Sequence, residues 1–431
     1  MCVVDDARAL LAAGDAAGAV PLLERALTGD SRLSVAHDLA RAYLAVGRLD
    51  DGVQLMRRIA VAAPHRLAVH HQLVDVLRSV GRDQTALAAC RAGLAHHPDD
   101  LTLLVAMGAL AADLHAWPEA LAAEQRLGEL LPDDIAVCQR AATAARRIGD
   151  QAAVVAAVTR WHNLAPNDPS VRHLHAASTG GHLERADPAY IVALFDAYAH
   201  RFDEHLAALG YCAPASIAQR LAGLLPVGTD TVADLGCGTG LVGQALNGLA
   251  RHLIGVDLSP GMLAEARARR CYDRLVCGEL TAFLRDHPGQ FDAIVSADTL
   301  IYLGDLRPVF AAAQAALRGA GVLVFTLEHL AEAPNPGYRL EQTGRFSHSR
   351  EWVAAQLRAA GFGGVEVEER VVRRERNDDV RGLLVTARRE VVSEAPHRRR
   401  SISGVHPMRR HRQTDDTHVT TTTEPTRSTR S

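Results

Sequence analysis

The sequence predicts an α-solenoid followed by a Rossmann-like α/β domain with a seven-strand sheet, and then a disordered C-terminal tail. Prolines recur at a constant spacing in the first part of the chain, strand and helix patterns alternate from Val232 onward, and apolar residues become scarce after Glu394. The predicted boundaries are a helical-repeat domain over 1–177, a hinge and lid helix over 178–211, the α/β domain over 212–393 and the tail over 394–431.

Composition favours a soluble protein of the reducing cytoplasm. The 431 residues carry a formal net charge of −3, which gives no global attraction to nucleic acid or to an anionic membrane. The seven cysteines are scattered without a C-x-x-C pair, so neither a disulfide framework nor a zinc site is predicted. No signal peptide or membrane-spanning run is evident. All 47 basic residues are arginine, which indicates a coding bias, so arginine clusters receive less functional weight.

The first domain repeats with a period of 34 residues. Two columns of residues mark the period, one of proline and one that is nearly all glycine: Pro64, Pro98, Pro132 and Pro166, and Gly47, Gly81, His115 and Gly149. Glycine breaks the chain between paired helices, and proline begins the next unit. A helix–turn–helix period of this length resembles the tetratricopeptide repeat. The resemblance implies five units, at 1–32, 33–66, 67–100, 101–134 and 135–168.

Stacked helix pairs leave a concave groove, which commonly receives a peptide or another protein. The alternative is that the array dimerises the protein or braces the α/β domain. The histidines of the array stand at loops and helix surfaces without acidic partners, so we expect solvated side chains rather than a metal site: His65, His70, His71, His96 and His97.

A polar, glycine-bearing segment between Ser178 and Pro188 predicts a hinge. The helix predicted after it carries one continuous apolar stripe at three- and four-residue spacing: Ile191, Leu194, Phe195, Tyr198, Phe202 and Leu206. Aromatic residues are only 4% of the chain, and this helix concentrates them.

A buried strand that runs into a glycine-rich turn marks the centre of the α/β domain. The turn contains Gly236, Gly238 and Gly240, and a helix is predicted from Leu241 to about 249. Glycine permits positive φ and the close approach of a ligand, while the free N–H groups of the helix face the same crevice. The next strand ends at Asp257, whose carboxylate can accept both hydroxyls of a ribose. A nucleotide-type cofactor is therefore predicted.

Two cofactor classes use this layout, because Gly238 to Gly243 also fits the G-x-G-x-x-G pattern of dinucleotide sites. Asp234 distinguishes between the two cofactor classes. A carboxylate two positions before the first glycine is costly to bury unless it meets donors or a cation. It would repel a pyrophosphate but not the amino group or sulfonium of S-adenosylmethionine.

Asp234-Leu235-Gly236-Cys237-Gly238-Thr239-Gly240 and Gly255-Val256-Asp257-Leu258-Ser259 resemble the first two motifs of class I S-adenosylmethionine-dependent methyltransferases. The chain is similar to bacterial members that carry tetratricopeptide repeats, over about residues 188–389. The resemblance implies S-adenosylmethionine as cofactor, Leu258 beside Asp257 in its site, and Glu279 near the adenine amine. It also implies a lid helix that brings Tyr198 and Phe202 near the sulfonium, where cation–π attraction and exclusion of water favour them. Plain packing of both aromatic rings on the sheet is the alternative.

Strands and helices alternate after Asp257. We predict strands at 252–256, 274–277, 291–297, 322–326, 364–371 and 382–387, and helices at 260–270, 306–317 and 350–360. With the strand before the glycines, the count is that of the methyltransferase sheet, whose last strand is antiparallel. From Glu394 onward nothing offsets the entropy of ordering, so we predict a disordered basic tail, with contact to nucleic acid as the less favoured interpretation.

Methyl transfer from a sulfonium requires alignment, exclusion of water and a base only if the acceptor carries a proton. No metal is required. The acceptor-side candidates follow the fourth and fifth strands or lie in the loop beyond: Asp298, Tyr302, Glu328, His329 and His348. His348 is the preferred base, because it titrates near neutrality and the family shows a similar His-Ser pair there. A helix cap at Ser349 explains part of that motif without catalysis.

Three functions follow as hypotheses. The first is methyl transfer from S-adenosylmethionine to a protein, a peptide or a small molecule. The second is an adaptor that binds partners through its repeats and keeps a non-catalytic cofactor domain. The third, an NAD-dependent oxidoreductase, rests only on the overlapping glycine pattern, and Asp234 argues against it.

Overall fold

The computed structural model of the chain describes residues 3–29, 33–225, 229–332, 335–375 and 378–390. The tail predicted at 394–431 lies outside the described residues.

The N-terminal domain is an array of helices, as predicted. Its helices are α1 (Val3–Ala12), α2 (Ala16–Gly29), α3 (Leu33–Ala45), α4 (Leu49–Ala62), α5 (Leu67–Ser79), α6 (Asp83–Leu94), α7 (Leu101–Asp113), α8 (Trp117–Leu130), α9 (Ile135–Ile148), α10 (Gln151–Leu164) and α11 (Pro169–Thr179). Helices α1 to α10 form five successive pairs, one in each expected unit, and α11 follows the last pair. The glycine column lies between the helices of each pair. Gly47, Gly81, His115 and Gly149 have φ values of 80°, 69°, 58° and 79°, and they end the first helix of the second, third, fourth and fifth pairs.

Two histidines of the array differ from the prediction of solvated side chains. His70 is buried, and its Nε2 donates to the carbonyl oxygen of Pro64 over 2.9 Å. His71 donates from Nε2 to Oδ1 of Asp100 over 2.7 Å. The prediction was wrong for both because their partners, Pro64 and Asp100, lie in loops between helices, where sequence spacing does not reveal the contacts.

The segment after α11 is hydrogen-bonded to the α/β domain, although the sequence predicted a hinge there. The carbonyl oxygen of Glu184 accepts from the N–H groups of Gly304 (2.8 Å) and Asp305 (2.9 Å). The N–H of Ala186 donates to the carbonyl oxygen of Tyr302 over 2.8 Å. Three backbone bonds therefore hold the connection between the array and the sheet.

The predicted lid helix is broken into pieces. They are α12 (Pro188–Asp196), a 3₁₀ helix (Ala199–Arg201) and α13 (Phe202–Ala208), which α14 (Ala213–Ala222) follows. The prediction of one continuous helix was wrong because the chain turns after Asp196, whose carboxylate accepts from the N–H of Gly261 over 2.9 Å. This long-range contact outweighs the local apolar periodicity. We call α12, the 3₁₀ helix and α13 together the cover.

The described strands form one mixed sheet. Its strands are β1 (Thr229–Leu235), β2 (Ala250–Asp257), β3 (Arg274–Cys277), β4 (Phe291–Ser296), β5 (Leu317–His329), β6 (Tyr338–Leu340), β7 (Phe346–His348), β8 (Phe362–Glu375) and β9 (Asp378–Arg389). The order is β3-β2-β1-β4-β5-β7-β6, and β9 pairs with both β5 and β8. Strands β1 to β5 are parallel, and β9 runs antiparallel to β5, as the resemblance implied.

The sheet is flanked by α15 (Leu241–Ala245), α16 (Pro260–Arg269), α17 (Leu280–Arg285), α18 (Arg307–Ala316) and α19 (Arg350–Ala359). Helix α17 and the β6–β7 hairpin were not predicted, since each is too short to show a period in sequence. The hairpin packs on α11: Ala177 shares a buried apolar cluster with Tyr338, Leu340 and Phe346. The array and the sheet are therefore joined by an apolar contact as well as by the backbone bonds.

Alternate residues of the central strands face two separate cores. Ile294 of β4 packs with Phe310 on one face of the sheet, whereas Val295 packs with Val232 on the other. This arrangement buries the parallel strands on both sides and brings their carboxyl ends to one edge. In the part of the chain that the structure describes, no helix has the length and apolar character needed to cross a membrane.

Candidate functional site

A cavity of about 550 Å³ opens at the carboxyl edge of the parallel strands. Its lining includes Gly236 and Gly238 after β1, Asp257 and Leu258 at the end of β2 and Glu279 after β3. Residues of β4's carboxyl end, the cover and the array complete the wall. Ligands of open α/β sheets bind at this edge, so the cavity is the candidate site.

The glycine turn has the backbone geometry that only glycine adopts readily. Gly236, Gly238 and Gly240 have φ values of 68°, 54° and 94°. The N–H of Gly236 donates to the carbonyl oxygen of Val256 over 2.7 Å, which ties the turn to β2. A Cβ on Gly236 would lie 2.2 Å from the side chain of Thr299. Gly240 begins α15 and is not part of the cavity wall.

Asp234 lies behind the turn and does not line the cavity. Its carboxyl group is fully buried, and its Oδ2 accepts from the Tyr272 hydroxyl over 2.6 Å. Burial raises the pKa of Asp234 to about 7, against the hydrogen bond from Tyr272, which lowers it. The protein itself thus supplies a donor to Oδ2, whereas Oδ1 is buried without a hydrogen-bond partner among the described residues.

Asp257 lines the cavity and fixes the turn at the same time. Its Oδ2 accepts from the N–H of Gly238 over 2.8 Å, and its Oδ1 accepts from the N–H of Ser259 over 2.9 Å. Burial raises the pKa of this carboxyl group, while the backbone donors oppose the rise. Each carboxylate oxygen can accept a second hydrogen bond, so the group still fits a ribose diol.

Glu279 also lines the cavity, but its side chain has a structural partner. Its Oε2 accepts from the N–H of Ala282 over 2.8 Å and caps α17. Its Oε1 lies 3.6 Å from Nη2 of Arg185, in the segment that precedes the cover. The sequence did not reveal this capping role, because α17 itself was not predicted.

The cover is fixed to the carboxyl edge of the parallel strands at two points. At the first, Asp196 accepts from the hydroxyl of Ser259 and the N–H of Gly261, at the start of α16. At the second, Asp203 accepts from the Thr239 hydroxyl over 2.6 Å and pairs with Arg269. These contacts hold the cover directly over the glycine turn.

Aromatic rings of the cover form one wall of the cavity. Phe202 lies over the turn, with its Cε1 3.9 Å from where a Cβ of Gly238 would be. Tyr198 meets Phe202 edge to face at 5.9 Å, and Phe195 meets Tyr302 in the same way at 5.5 Å. Tyr198 and Phe202 are both half-buried and line the cavity, so their faces are available to a ligand.

Asp298 and Tyr302 line the cavity beyond this wall. Asp298 has a left-handed backbone with φ of 49°, and its Oδ1 accepts from the Thr326 hydroxyl over 2.7 Å. Burial raises the pKa of Asp298, although its neighbour Arg373 lowers it. Burial also raises the pKa of Tyr302, which keeps its phenol protonated at neutral pH.

A buried ionic network adjoins Asp298. Arg373 donates from Nη1 to Oδ2 of Asp298 over 3.0 Å and pairs through Nη2 with Glu328. Arg345 donates from Nε to Oε1 of Glu328 over 2.6 Å. Both arginines line the cavity, and Glu328 supports them from behind. The His329 side chain does not line the cavity, and its Nδ1 lies 3.8 Å from Oε2 of Glu369.

His348, the preferred base, does not reach the cavity. Its side chain is fully buried, its ring stacks on Trp352, and its Nε2 donates to the carbonyl oxygen of Gly304 over 3.1 Å. Burial lowers the pKa of His348 to about 4, so the ring is neutral. The hydroxyl of Ser349 accepts from the N–H of Trp352 and caps α19, so the serine of the His-Ser pair has the capping role that was the alternative to catalysis. This geometry gives His348 a role in packing the hairpin rather than in proton transfer.

Four residues of the site were missed from the sequence: Tyr272, Arg345, Arg373 and Arg146. No motif marks Tyr272, which meets Asp234 only through the fold. The arginines were passed over because a chain without lysine makes any single arginine uninformative.

Comparisons with known proteins agree with this architecture. Residues 232–321 match the family model for a methyltransferase domain, and residues 10–75 match that for a tetratricopeptide repeat. A bifunctional protein of biotin biosynthesis from Saccharophagus degradans is 30% identical over 178 residues, which cover 38% of this chain and 32% of that protein. A ubiquinone biosynthesis O-methyltransferase from Thiobacillus denitrificans is 28% identical over 187 residues, which cover 38% of this chain and 80% of that enzyme.

Among solved structures, an S-adenosylmethionine-dependent methyltransferase from Mesorhizobium loti has 28% identity and a TM-score of 0.33, and the match covers 41% of this chain and 100% of that one. The chain spans about a third of the length of the biotin-biosynthesis protein that it matches. The family matches confirm both predicted domain classes, tetratricopeptide repeats and a methyltransferase domain. The Mesorhizobium loti protein is named as dependent on S-adenosylmethionine, the cofactor that the sequence predicts for this chain.

Proposed function

We propose that this chain transfers the methyl group of S-adenosylmethionine to a small molecule held in the covered cavity. The observation that carries the proposal is the position of one cavity between two sets of groups. The glycine turn and Asp257 lie on its cofactor side, and Asp298 and Tyr302 lie on the opposite side. The aromatic wall of the cover lies between them.

The residues present fit this cofactor. Asp257 offers carboxylate oxygens to a ribose, and the close contact of Phe202 with Gly238 defines a narrow slot above the turn. Glu279 lines the third strand's end, where an adenine amine would find an acceptor. When bound, the cofactor supplies an electrophilic methyl group on a sulfonium.

The protein's own residues then do three things. Tyr198 and Phe202 present aromatic faces to positive charge and exclude water. The cover, anchored through Asp196 and Asp203, limits the escape of bound ligands. Tyr302 offers a neutral hydroxyl that can orient the acceptor, and Asp298 offers a carboxylate for an acceptor that must lose a proton.

Calorimetry with S-adenosylmethionine tests the cofactor half of the proposal. The wild-type protein is expected to give saturable binding that Asp257→Ala removes and Asp257→Asn weakens, because an amide oxygen retains only part of the acceptor capacity. Asp286→Ala is the matched control, since Asp286 is exposed at the end of α17. Unchanged binding in Asp257→Ala would overturn the placement of the cofactor.

Labelled-methyl transfer into a cell lysate tests the activity. We expect label in the small-molecule fraction, dependent on Asp257. Label in the protein fraction would redirect the proposal to a peptide acceptor, for which the repeat groove is the natural docking surface. Saturable cofactor binding without any labelled product would favour the adaptor function.

A further inference from the structure

Three tyrosine hydroxyls at the Asp298 end of the cavity have no hydrogen-bond partner among the described residues. Tyr190 of α12, Tyr211 before α14 and Tyr302 after β4 all line this cavity. Tyr190 is only 7% exposed, so its phenol is largely withdrawn from bulk solvent. By contrast, the buried phenol of Tyr272 donates to a carboxylate over 2.6 Å. An unpaired polar group in such a wall is costly unless a ligand or water meets it.

A backbone contact holds Tyr211 beside the buried ion pair of Asp298 and Arg373. The N–H of the next residue, Cys212, donates to the carbonyl oxygen of Val372 over 3.3 Å, one residue before Arg373. Burial raises the pKa of Tyr211 well above its usual value, and the Asp298 carboxylate raises it further. The phenol of Tyr211 is therefore neutral and lies close to Asp298.

The last helix of the array positions Tyr190. Its ring stacks on His173 of α11 at 4.4 Å, and Nε2 of His173 donates to the carbonyl oxygen of Gly344 over 2.7 Å. Burial raises the pKa of Tyr190. Burial also raises the pKa of Tyr302, and Tyr190 adds to that rise although Arg345 opposes it. The two phenols therefore lie near each other, and both are neutral.

The charged side chains beside these phenols form ion pairs with one another. Arg373 donates to Asp298 over 3.0 Å and also pairs with Glu328, and Arg345 donates to Glu328 over 2.6 Å. The tyrosine hydroxyls have no such partner, so they are the polar groups that we assign to a ligand. An ionised ligand would lose its hydration on entry, and neutral phenols offer it no opposite charge.

The wall around the hydroxyls is apolar and partly aromatic. Ile191, Leu194 and Phe195 of α12 line it, and Phe195 meets Tyr302 edge to face at 5.5 Å. Such a wall favours a flat apolar framework. Each tyrosine hydroxyl can donate one hydrogen bond and accept others, so it suits hydroxyl and carbonyl oxygens alike. An apolar ring with oxygen substituents satisfies both features.

We propose that the methyl acceptor is an uncharged aromatic molecule with a hydroxyl group and a second oxygen substituent, and that the hydroxyls of Tyr190 and Tyr211 bind these oxygens. The proposal rests on the proposed methyltransferase function and specifies its substrate class. The acceptor oxygen bonds to the methyl carbon as the carbon–sulfur bond breaks. The pair of that bond remains on sulfur, and the hydroxyl proton passes to Asp298, which lines the cavity. Through His173, which stacks on Tyr190, the array takes part in acceptor binding.

The test uses the full-length protein saturated with S-adenosylhomocysteine and three probes of similar size: uncharged 2,3-dihydroxynaphthalene, anionic 2-naphthoate and cationic 2-naphthylmethylammonium. Calorimetry at neutral pH should show that the diol binds and that both ions bind roughly tenfold more weakly or not at all. Tyr190→Phe and Tyr211→Phe should each weaken the diol by about two- to tenfold, the range for one neutral hydrogen bond. Tyr338→Phe is the matched control, because Tyr338 is as buried as Tyr190 but packs in the β6–β7 hairpin outside the cavity wall.

Binding of S-adenosylhomocysteine by each variant is measured first, and normal binding shows that the variant is folded and keeps that site. Failure of the wild type to bind it would count against the proposed function instead. The acceptor inference alone is overturned if the protein binds S-adenosylhomocysteine but not the diol, or if either ion binds as well as the diol. It is also overturned if Tyr190→Phe or Tyr211→Phe behaves like Tyr338→Phe.

Discussion

The Tyr272 hydroxyl donates to Oδ2 of Asp234 over 2.6 Å, behind the glycine turn that it supports. The phenol ring also packs against Gly243, where a Cβ would lie 2.4 Å from it. Asp234 is fully buried, and Tyr272 is the hydrogen-bond donor that the described residues supply to its carboxylate side chain. The acid that marks the cofactor motif in sequence thus receives its donor, at one of its two oxygens, from an aromatic residue far along the chain.

Removing this hydroxyl should destabilise the protein. Tyr272→Phe leaves the buried carboxyl group without its donor, so we expect a loss of about 1–3 kcal/mol in the free energy of unfolding, the cost of an unsatisfied buried polar group. Urea unfolding measures it. In a double-mutant cycle, Asp234→Asn combined with Tyr272→Phe should cost less than the sum of the single changes. Additive losses would show that the two side chains do not depend on each other.

The stability of the protein should respond to pH through two buried groups of opposite sign. Asp234 has its pKa raised from 3.8 to about 7, so the folded state retains a proton that the unfolded state has lost. Its stabilising contribution is complete below 3.8 and declines as the pH rises to about 7. His348 has its pKa lowered from 6.5 to about 4, so its contribution is complete above 6.5 and is lost as the pH falls toward 4.

Variants separate the two contributions. Relative to wild type, Asp234→Asn should gain stability as the pH rises through its window and remain constant above it. His348→Gln should gain stability, again relative to wild type, as the pH falls through the histidine's window. Urea unfolding across the range gives both differences. Parallel pH profiles for wild type and either variant would contradict the assigned pKa shift.

Detaching the cover should shorten the residence of the cofactor. Asp196→Ala removes the acceptor of the Ser259 hydroxyl and of the Gly261 N–H, so α12 loses its hold on α16. We expect S-adenosylmethionine to dissociate roughly tenfold faster, the effect of about 1.4 kcal/mol, in a chase with unlabelled ligand. Asp187→Ala is the control, because it removes the cap of α12 without touching α16. Equal acceleration in both variants would attribute the effect to helix stability alone.

Weakening the contact of α11 should uncouple the array from the sheet. His173→Ala removes the bond to Gly344 and the stacking on Tyr190, and we expect a loss on the order of 2 kcal/mol with two separate unfolding transitions. Limited proteolysis should then cleave the connecting segment at 181–187 faster. Arg172→Ala, which changes an exposed neighbour on the same helix, should do neither. A single unchanged transition in His173→Ala would show that the other contacts suffice.

The sequence predicted the features of the fold that have a period or a motif. The 34-residue columns located the helix pairs, and the glycines with Asp257 located the turn and the acid that accepts from it at the end of β2. The features that it missed depend on contacts between distant residues. No residue near Tyr272 in the sequence indicates that its hydroxyl donates to Asp234. No local pattern indicates that α12 ends at Asp196, where the carboxylate accepts from the N–H of Gly261.

His348 illustrates the opposite error, in which a sequence motif predicted a role that the fold does not support. A histidine and a serine at the expected position suggested proton transfer, but the hairpin that buries His348 is too short to be read from sequence. Arg146 was missed because a repeat residue has no sequence mark for reaching a cavity in another domain. Motifs therefore located the side of the cavity that contains the glycine turn, and tertiary packing determined the side that contains Asp298 and Tyr302.

The choice between sulfonium recognition and plain packing for Phe202 can be made with two ligands. S-adenosylmethionine carries a positive sulfonium, whereas S-adenosylhomocysteine has a neutral thioether in its place. Phe202→Leu preserves apolar bulk over Gly238 but removes the π face, so it should weaken S-adenosylmethionine by about three- to thirtyfold and S-adenosylhomocysteine much less. Calorimetry of both ligands with both proteins gives the ratio. An equal loss for the two ligands would mean that Phe202 only packs, since apolar contact does not distinguish their charge.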